Sequence, residues 1–574
     1  MKNSLVARIL YELADYTELE DPQPYRSRAY RRAAQTIENM QEDIEVVWKE
    51  GKLTDLPGVG ENIEKKIDEI LKTGKLETLE TIRNRIPVDV PSLVKVEGVG
   101  PKTVKLLYEQ LKIKNIDDLE SAVKSGRLRG FKGLGVKSDQ QLLDRIESAK
   151  MYSNRMLLAQ ALQVSKRITK YINDIPGVKR YSTAGSLRRM RETIGDIDVL
   201  IEAEDPSESI KYFTKEPDVK DVIAAGDTKA SVRLDNNIQV DARVIPEKSW
   251  GAALLYFTGS KAHNIELRTV AIKQHMHLSE YGLFKEDETM VAGRTEEEVY
   301  AALGMDYIEP ELRENRGEIQ AAQNHTLPNL VTLSDIKGDL QMHTDWSDGR
   351  ETLEGMVEAS RAMGYNYIAI TDHVGTLRIA NALDDTRLKD QRKEIDKLNE
   401  KYEKEGVDFR IFQGAEVNIR ADGRLDMPDS VLKRLDIVLA SIHSGLTEGP
   451  DKTTMRTLAA IENENVDIIA HPTGRMLLER AGFKLFFDKV FERAVATGTV
   501  LEIDAHASRL DLNDENAHDA LKAGCTLAID TDAHEPAELE YMNLGVAQAR
   551  RAWATKKDIL NTKSLKELTK FLEI

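Results

Sequence analysis

Apolar positions recur along this chain in three different rhythms. In residues 1–150 they fall three and four apart, as in Ile63, Ile67, Ile70 and Leu71, which predicts short amphipathic helices. Around residue 196 the spacing drops to two: Asp196-Ile197-Asp198-Val199-Leu200 alternates acid and apolar, as does Ile238-Gln239-Val240-Asp241. Alternation of that kind predicts half-buried strands. Beyond residue 335 the apolar runs become continuous and lie between helical stretches: Tyr367–Ile370, Ile437–Ala440, Val466–Ala470, Val500–Ile503 and Leu527–Ile529. Such runs predict a parallel sheet buried on both faces, hence a barrel. Residues 319–334 show no clear period and read as a linker.

A length of 574 residues exceeds one hydrophobic core and predicts several domains. Hydrophobic content of 41% and charged content of 31% exclude a disordered chain. No run of about 18 apolar residues occurs, so no membrane span is expected, and the start of the chain lacks the apolar stretch of a signal peptide. The one cysteine, Cys525, rules out an internal disulfide and suits a cytoplasmic location. The net charge of −17 is concentrated in the C-terminal part, so it does not exclude a polyanionic partner for the front half.

On a strand, Asp196 and Asp198 share one face, and the segment ending in Asp241 can add a third carboxylate beside them. Three carboxylates at one place repel unless cations lie between them, and Mg²⁺ (or Mn²⁺) prefers carboxylates plus substrate phosphates. Upstream, Gly185-Ser186-Leu187-Arg188-Arg189 offers a small backbone, a hydroxyl and guanidinium groups to a triphosphate. A lone Asp-x-Asp is more often an acidic strand edge; the combination points to two-metal nucleotidyl transfer.

Three segments in the front part share a Gly-x-Gly turn: Gly58/Gly60, Gly98/Gly100 and Gly133/Gly135, each before a helix. Such helix-hairpin-helix units present backbone N–H groups and a helix N-terminus to a nucleic-acid backbone without reading its sequence. Arg26, Arg28, Arg31 and Arg32 interleave with Tyr25 and Tyr30, a mixture suited to phosphates and stacking but equally to a solvated basic helix face. Downstream, Tyr256-Phe257-Thr258-Gly259-Ser260 reads as a turn carrying two aromatics that can press on a sugar, and Asn264 and Arg268 lie four apart on one helix face.

Together these motifs resemble the family X DNA polymerases of the polymerase beta type over residues 1–318. The resemblance implies a helical lyase-like domain (1–80), helical fingers (81–150), an α+β nucleotidyltransferase palm (151–255) and a thumb (256–318). It further implies that Asp196, Asp198 and Asp241 bind two metals, with Asp241 nearest the primer 3′-hydroxyl, and that Ser186 and Arg189 hold the triphosphate with Gly195 close by. Tyr256, Phe257 and Gly259 would line the sugar pocket, Asn264 the incoming base and Arg268 the template side. Lys66 falls on the Schiff-base position of the lyase pocket and Arg26 and Tyr30 on its 5′-phosphate pocket, but the pocket's second lysine is Asn62 here.

In the back half, polar clusters follow the apolar runs: Thr371-Asp372-His373, Ser441-Ile442-His443, His471-Pro472 and Asp530-Thr531-Asp532-Ala533-His534, with Asp339-Leu340-Gln341-Met342-His343, Asp348 and Glu416 besides. Imidazoles and carboxylates at barrel strand ends suit Zn²⁺, Mn²⁺ or Fe²⁺. Residues 335–574 resemble the PHP (polymerase and histidinol phosphatase) domain, a distorted (β/α)7 barrel. The resemblance implies nine metal ligands, of which eight match: His343, Asp348, His373, Glu416, His443, His471, Asp532 and His534. The ninth is Gln341, whose amide is a poorer ligand than imidazole, so one metal is expected to be weakened or absent.

The expected activity is gap-filling DNA synthesis in repair with an attached 3′→5′ exonuclease or abasic-site endonuclease, on gapped or primed DNA and dNTPs, by a monomer. Two alternatives remain: a DNA-targeted phosphoesterase in which the barrel does the work, and a non-catalytic DNA-bridging protein. Incorporation of dNTPs separates the first reading from both.

Overall fold

The computed structural model describes residues 2–20, 25–38, 44–96, 98–128, 131, 139–152, 155–376, 380–446 and 448–573. They fall into two compact units, Met1–Arg155 with Asp235–Ile238, and Met156–Leu234 with Gln239–Ile574.

The first unit is helical, as the three-and-four spacing predicts. Helices α1 (Asn3–Glu20) and α2 (Tyr25–Glu38) pack against each other, and one apolar core gathers Val6, Leu10, Leu13, Ile37, Ile63, Ile67 and Ile70. Helix α3 (Glu61–Thr73) buries Ile63, Ile67, Ile70 and Leu71 along one face; α4 (Pro101–Leu111) buries Val104 and Leu107. Both begin directly after a Gly-x-Gly turn, with Gly60 and Gly100 as N-caps.

The second unit opens with a five-stranded sheet in the order β1-β2-β5-β4-β3, where β1 is Val178–Thr183, β2 Asp196–Ala203, β3 Val219–Ala225, β4 Lys229–Leu234 and β5 Gln239–Val244. Only β2 and β5 run parallel; the other neighbours are antiparallel. A four-residue helix α5 (Gly185–Arg188) follows β1, and α6 (Trp250–Thr258) and α7 (Lys261–Lys273) follow the sheet. Residues 256–258 therefore finish a helix rather than form a turn; the apolar run Trp250–Leu255 is buried on all sides, which hides its helical period. Only Gly259, the cap at φ 69°, leaves the helix.

Eight further strands form a parallel sheet: β6 (Gly338–Asp339), β7 (Tyr367–Ile370), β8 (His373–Val374), β9 (Arg410–Asn418), β10 (Ile437–Ser441), β11 (Ile468–Ile469), β12 (Val500–Asp504) and β13 (Leu527–Asp530). The order β6-β7-β9-β10-β11-β12-β13 follows the chain, with β8 beside β9. Closure between β13 and β6 comes from a parallel bridge, Met342 to Ala533, and from side chains: Asp530 Oδ1 accepts from Leu340 N at 2.8 Å and Asp339 Oδ1 from Thr531 N at 3.2 Å. Strands β7 and β10 are buried throughout and almost wholly apolar, as continuous runs require, whereas β6, β9, β12 and β13 also carry buried acids.

The expected linker 319–334 is not structureless. It starts within helix α8 (Glu318–Gln323), whose Ile319 and Ala322 are buried with Leu267, Val299 and Leu312. Leu330 then bridges to Thr555, and Val331 joins the barrel core. A six-residue helix with only two core positions is too short to show a period.

Two candidate metal centres

The first centre rests on strand register. Pairing of β2 with β5 sets Asp198 directly opposite Asp241, with Asp196 two residues earlier on the same face. Asp196 is exposed, and Asp198 and Asp241 are half-buried. Burial, then the charges of Asp196 and Asp241, push the Asp198 carboxyl up to about 7. Asp241 is oriented by the Ser231 hydroxyl and by Gln239 Nε2, which donates at 3.0 Å. Three carboxylates on one face, two of whose charges raise the third, are a donor set suited to divalent cations.

Backbone geometry makes the space. Gly185 sits at φ 62°, and a Cβ there would lie 2.4 Å from Asp198 Oδ2. Helix α5 and its C-cap carry Ser186, half-buried, and the two arginines. Arg188 is committed to structure: it pairs with Glu296 at 2.6 and 2.8 Å and donates to Thr258 Oγ1 at 2.7 Å. Burial works against ionisation of Glu296, but Arg313 and Arg188 outweigh it and hold the carboxyl at about 2. Arg189 donates to Glu314 Oε1 at 3.0 Å and to the carbonyl of Thr258. Glu296, Arg313 and Glu314 were not singled out by sequence; Glu296 lies 108 residues from Arg188 and Glu314 lies 125 from Arg189, and no local motif announces them.

The Tyr256 and Phe257 rings meet edge to face at 5.1 Å, and the Arg243 guanidinium covers the Phe257 ring at 4.6 Å. Asn264 is buried; its Nδ2 donates to the Tyr256 carbonyl at 2.7 Å and its Oδ1 has no partner among the described residues. Arg268 donates to the Asn264 carbonyl at 3.2 Å. Gly195 lies half-buried in the turn just before β2.

In the helical unit, Gly58 and Gly98 occupy the left-handed region at φ 82° and 85°, which makes the hairpin turns possible. Gly133 and Gly135 lie outside the described residues. Arg26 and Tyr30 share a cleft with Arg85 but also with Glu20, Glu69 and Glu77, a mixed lining rather than a basic one. Lys66, half-buried on α3, does not line that cleft.

The second centre gathers all eight expected ligands. Glu416 is its hub: Oε1 lies 2.9 Å from His471 Nε2 and 3.2 Å from His443 Nε2, and Oε2 lies 3.2 Å from His373 Nδ1 and 3.4 Å from His343 Nε2. Asp532 Oδ1 is 3.0 Å from His343, and Asp348 lies within 3.9 Å of His343, His373 and His534. Three sets of ligand atoms each fit within 4.8 Å: His343, Asp348, His373 and His534; His373, Glu416 and His443; His343, Glu416 and Asp532. Glu416 departs from the strand-end expectation, lying inside β9 opposite His373 of β8, because β9 continues for nine residues.

Burial would strip charge from these imidazoles, and it holds His373 at about 4. At His534 burial is overcome by Asp348 and Asp532, which raise it to about 10, while Asp348 is held at about 2 despite its own burial. Among the described residues, His343 Nδ1 and His471 Nδ1 are buried without hydrogen-bond partners. Orphaned imidazole nitrogens beside carboxylates suit divalent metal ions. Gln341 is fully buried; its Nε2 donates to Asp532 Oδ1 at 3.2 Å and its Oε1 faces no donor. Behind the ligands lie acids not singled out as site residues. Asp339 is pushed to about 8 by burial and Asp530, and Asp504 meets Arg509 Nε at 3.3 Å. Being strand residues within apolar runs, they carry no spacing signal. His506 and His518 stay outside the centre, on Ser508 Oγ and the Ala552 carbonyl.

Comparison with known families matches residues 1–76 to a helix-hairpin-helix domain, 90–148 to a SAM-like helix-hairpin-helix tandem, 253–314 to the DNA polymerase beta thumb and 339–503 to the PHP domain. The chain is 38% identical to the DNA polymerase/3′-5′ exonuclease PolX of Bacillus subtilis (strain 168) over 576 residues, 99% of each chain. The chain is also similar over shorter stretches to a probable phosphatase of Thermoanaerobacter sp. (strain X514), 33% identical over 28% of this chain and 65% of that one, and to a probable phosphatase of Syntrophotalea carbinolica, 37% identical over 17% and 38%. No helix among the described residues is long and apolar enough to cross a membrane.

Proposed function

The chain belongs to family X of the DNA polymerases, in the group that ends in a PHP domain, and from that membership we propose that it fills short gaps during DNA repair. It is a DNA polymerase with an attached 3′→5′ exonuclease. The observation that carries the polymerase reading is the register that sets Asp198 against Asp241 with Asp196 on the same face.

Asp196, Asp198 and Asp241 would hold two Mg²⁺ (or Mn²⁺) ions, which when bound acidify the primer 3′-hydroxyl and neutralise the triphosphate and leaving pyrophosphate. Around them the chain's own groups do the positioning. Ser186 and Arg189 bind the triphosphate, with Gly195 leaving room beside it; Tyr256, Phe257 and Gly259 press on the sugar, and Asn264 and Arg268 face the base pair. In the barrel, the eight ligands would hold Zn²⁺, Mn²⁺ or Fe²⁺, which generate hydroxide from water near neutral pH. Its carboxylates and imidazoles fix the site at which the ends of DNA strands are trimmed. The helix-hairpin-helix turns at Gly58/Gly60 and Gly98/Gly100, together with the Gly133/Gly135 sequence motif, grip the DNA backbone. The boundaries 1–80, 81–150, 151–255, 256–318 and 335–574 divide these labours, and the protein acts as a cytoplasmic monomer.

The test uses wild type, Asp198→Ala and His443→Ala on a one-nucleotide-gapped duplex with Mn²⁺, with and without dNTPs. Gap filling that Asp198→Ala abolishes, and primer shortening that His443→Ala alone abolishes, is the expected result. Wild type that fills no gap would sink the polymerase reading, and shortening that survives His443→Ala would remove the exonuclease from the barrel.

A further inference from the structure

The barrel reaches into the polymerase site through one buried side chain. Arg551 ends helix α10 (Met542–Arg551) of the barrel domain, and its side chain is 1% exposed. Its Nη1 donates to the backbone carbonyl of Arg189 at 2.7 Å and to Glu314 Oε1 at 3.1 Å; its Nη2 donates to Asp514 Oδ2 at 2.6 Å. Asp514 opens helix α9 (Asp514–Ala523), also in the barrel domain, and is shared with Arg316 at 3.1 Å.

The same oxygen of Glu314 thus serves two guanidinium groups, Arg189 at 3.0 Å and Arg551 at 3.1 Å. That division has a consequence for an incoming triphosphate. A buried arginine locked to its own carboxylate is already neutralised, and a phosphate must displace the carboxylate to reach it. A carboxylate shared with a second arginine gives up the first more readily. The bond to the Arg189 carbonyl meanwhile holds that residue's backbone in place.

We propose that Arg551 is a positioning residue for nucleotide binding: it draws Glu314 away from Arg189 and fixes the Arg189 backbone, so the affinity of the polymerase site for dNTP depends on the barrel domain. This rests on the reading that Arg189 meets the triphosphate. No side chain is stranded when Arg551 is replaced, because Asp514 keeps Arg316 and Glu314 keeps Arg189.

The experiment measures KM for dNTP and kcat separately on a one-nucleotide gap, using the full chain with Mg²⁺. Arg551→Met is expected to raise KM at least about fivefold, a coupling of ordinary size between two sites, with kcat within about twofold of wild type. Adding Glu314→Gln to Arg551→Met frees Arg189 again and brings KM back toward wild type, a rescue that a merely structural arginine does not give. In an Arg189→Met background, Arg551→Met changes KM no further. If Arg189→Met raises KM while Arg551→Met leaves it unchanged, the inference is overturned and the reading beneath it stands. If Arg189→Met leaves KM unchanged, the reading of Arg189 itself falls. Primer shortening by the same preparations reports whether Arg551→Met is folded; should it not be, Glu314→Gln alone carries the test, since the inference requires it to lower KM, and a rise overturns it.

Discussion

Replacing Gly185 with alanine should separate folding from catalysis at the polymerase site. The added Cβ would stand 2.4 Å from Asp198 Oδ2, whereas ordinary contact begins near 3.4 Å, so the carboxylate must retreat by about 1 Å. Retreat into the sheet is blocked, since Asp198 lies on β2 between β1 and β5 and its backbone carbonyl accepts from Ala184 N at 2.9 Å. Misplacing a group at the reacting centre by 1 Å costs about 10²-fold in rate. That equals about 3 kcal/mol of barrel-independent transition-state stabilisation. Separately, holding alanine at φ 62° costs about 1–2 kcal/mol of stability. Single-turnover gap filling at saturating dNTP reads the first effect, and a melting curve reads the second. Primer shortening by the barrel serves as the internal standard, expected within about twofold of wild type. A variant that melts lower but fills gaps within about threefold of wild type would show that the absent Cβ does not serve the Asp198 carboxylate.

Other outcomes follow from the same geometry. Because folding raises the Asp198 carboxyl from 3.8 to about 7, the folded state holds its proton more tightly than the unfolded chain; metal-free protein should lose stability as pH rises from about 4 to about 7, by at most on the order of 4 kcal/mol. Asp198→Asn in EDTA should abolish that slope and raise the melting temperature at pH 8 while ending gap filling, and an unchanged slope would count against the burial argument. Gln341→His should increase the metal bound per chain, measured by elemental analysis after dialysis, since it supplies an imidazole beside Asp532; no gain would mean that the site has no room for another ligand. For lyase chemistry at Lys66, borohydride should trap wild type but not Lys66→Ala on abasic DNA. Equal trapping of both would clear Lys66 of that role.

Where a function depends on local spacing, the sequence was readable. The alternation at 196–198 and at 238–241 predicted two strands with acids on matching faces, and the parallel register places Asp198 opposite Asp241. The clusters around His373, His443, His471 and His534 were equally plain, because each follows a run of apolar residues that forms a buried strand. What escaped was whatever depends on distant pairing. Glu314 lies 125 residues from Arg189 and Arg551 lies 237 from Glu314, and neither stands in a pattern. The helix Trp250–Thr258 was hidden for the opposite reason: apolar all round, it shows no face. The helix at the start of the expected linker went unseen because six residues of α8 cannot display a repeat, although their two core contacts anchor the segment.

The seam around Leu330 bears on how the gene can be divided. The thumb and PHP matches end and begin at residues 314 and 339, and they invite treatment as two cassettes. Physically no cut between them is clean. Leu330 belongs to the thumb core and its neighbour Val331 to the barrel core, while Trp553 from the far end of the chain packs back onto the thumb. Truncation after the thumb would remove Trp553 from the cluster it packs against, and would strip Glu314 and Glu311 of Arg551 and Arg550. A nuclease-free polymerase is therefore better obtained by a point change such as His443→Ala than by deletion, and two halves expressed apart should recognise each other through this same surface.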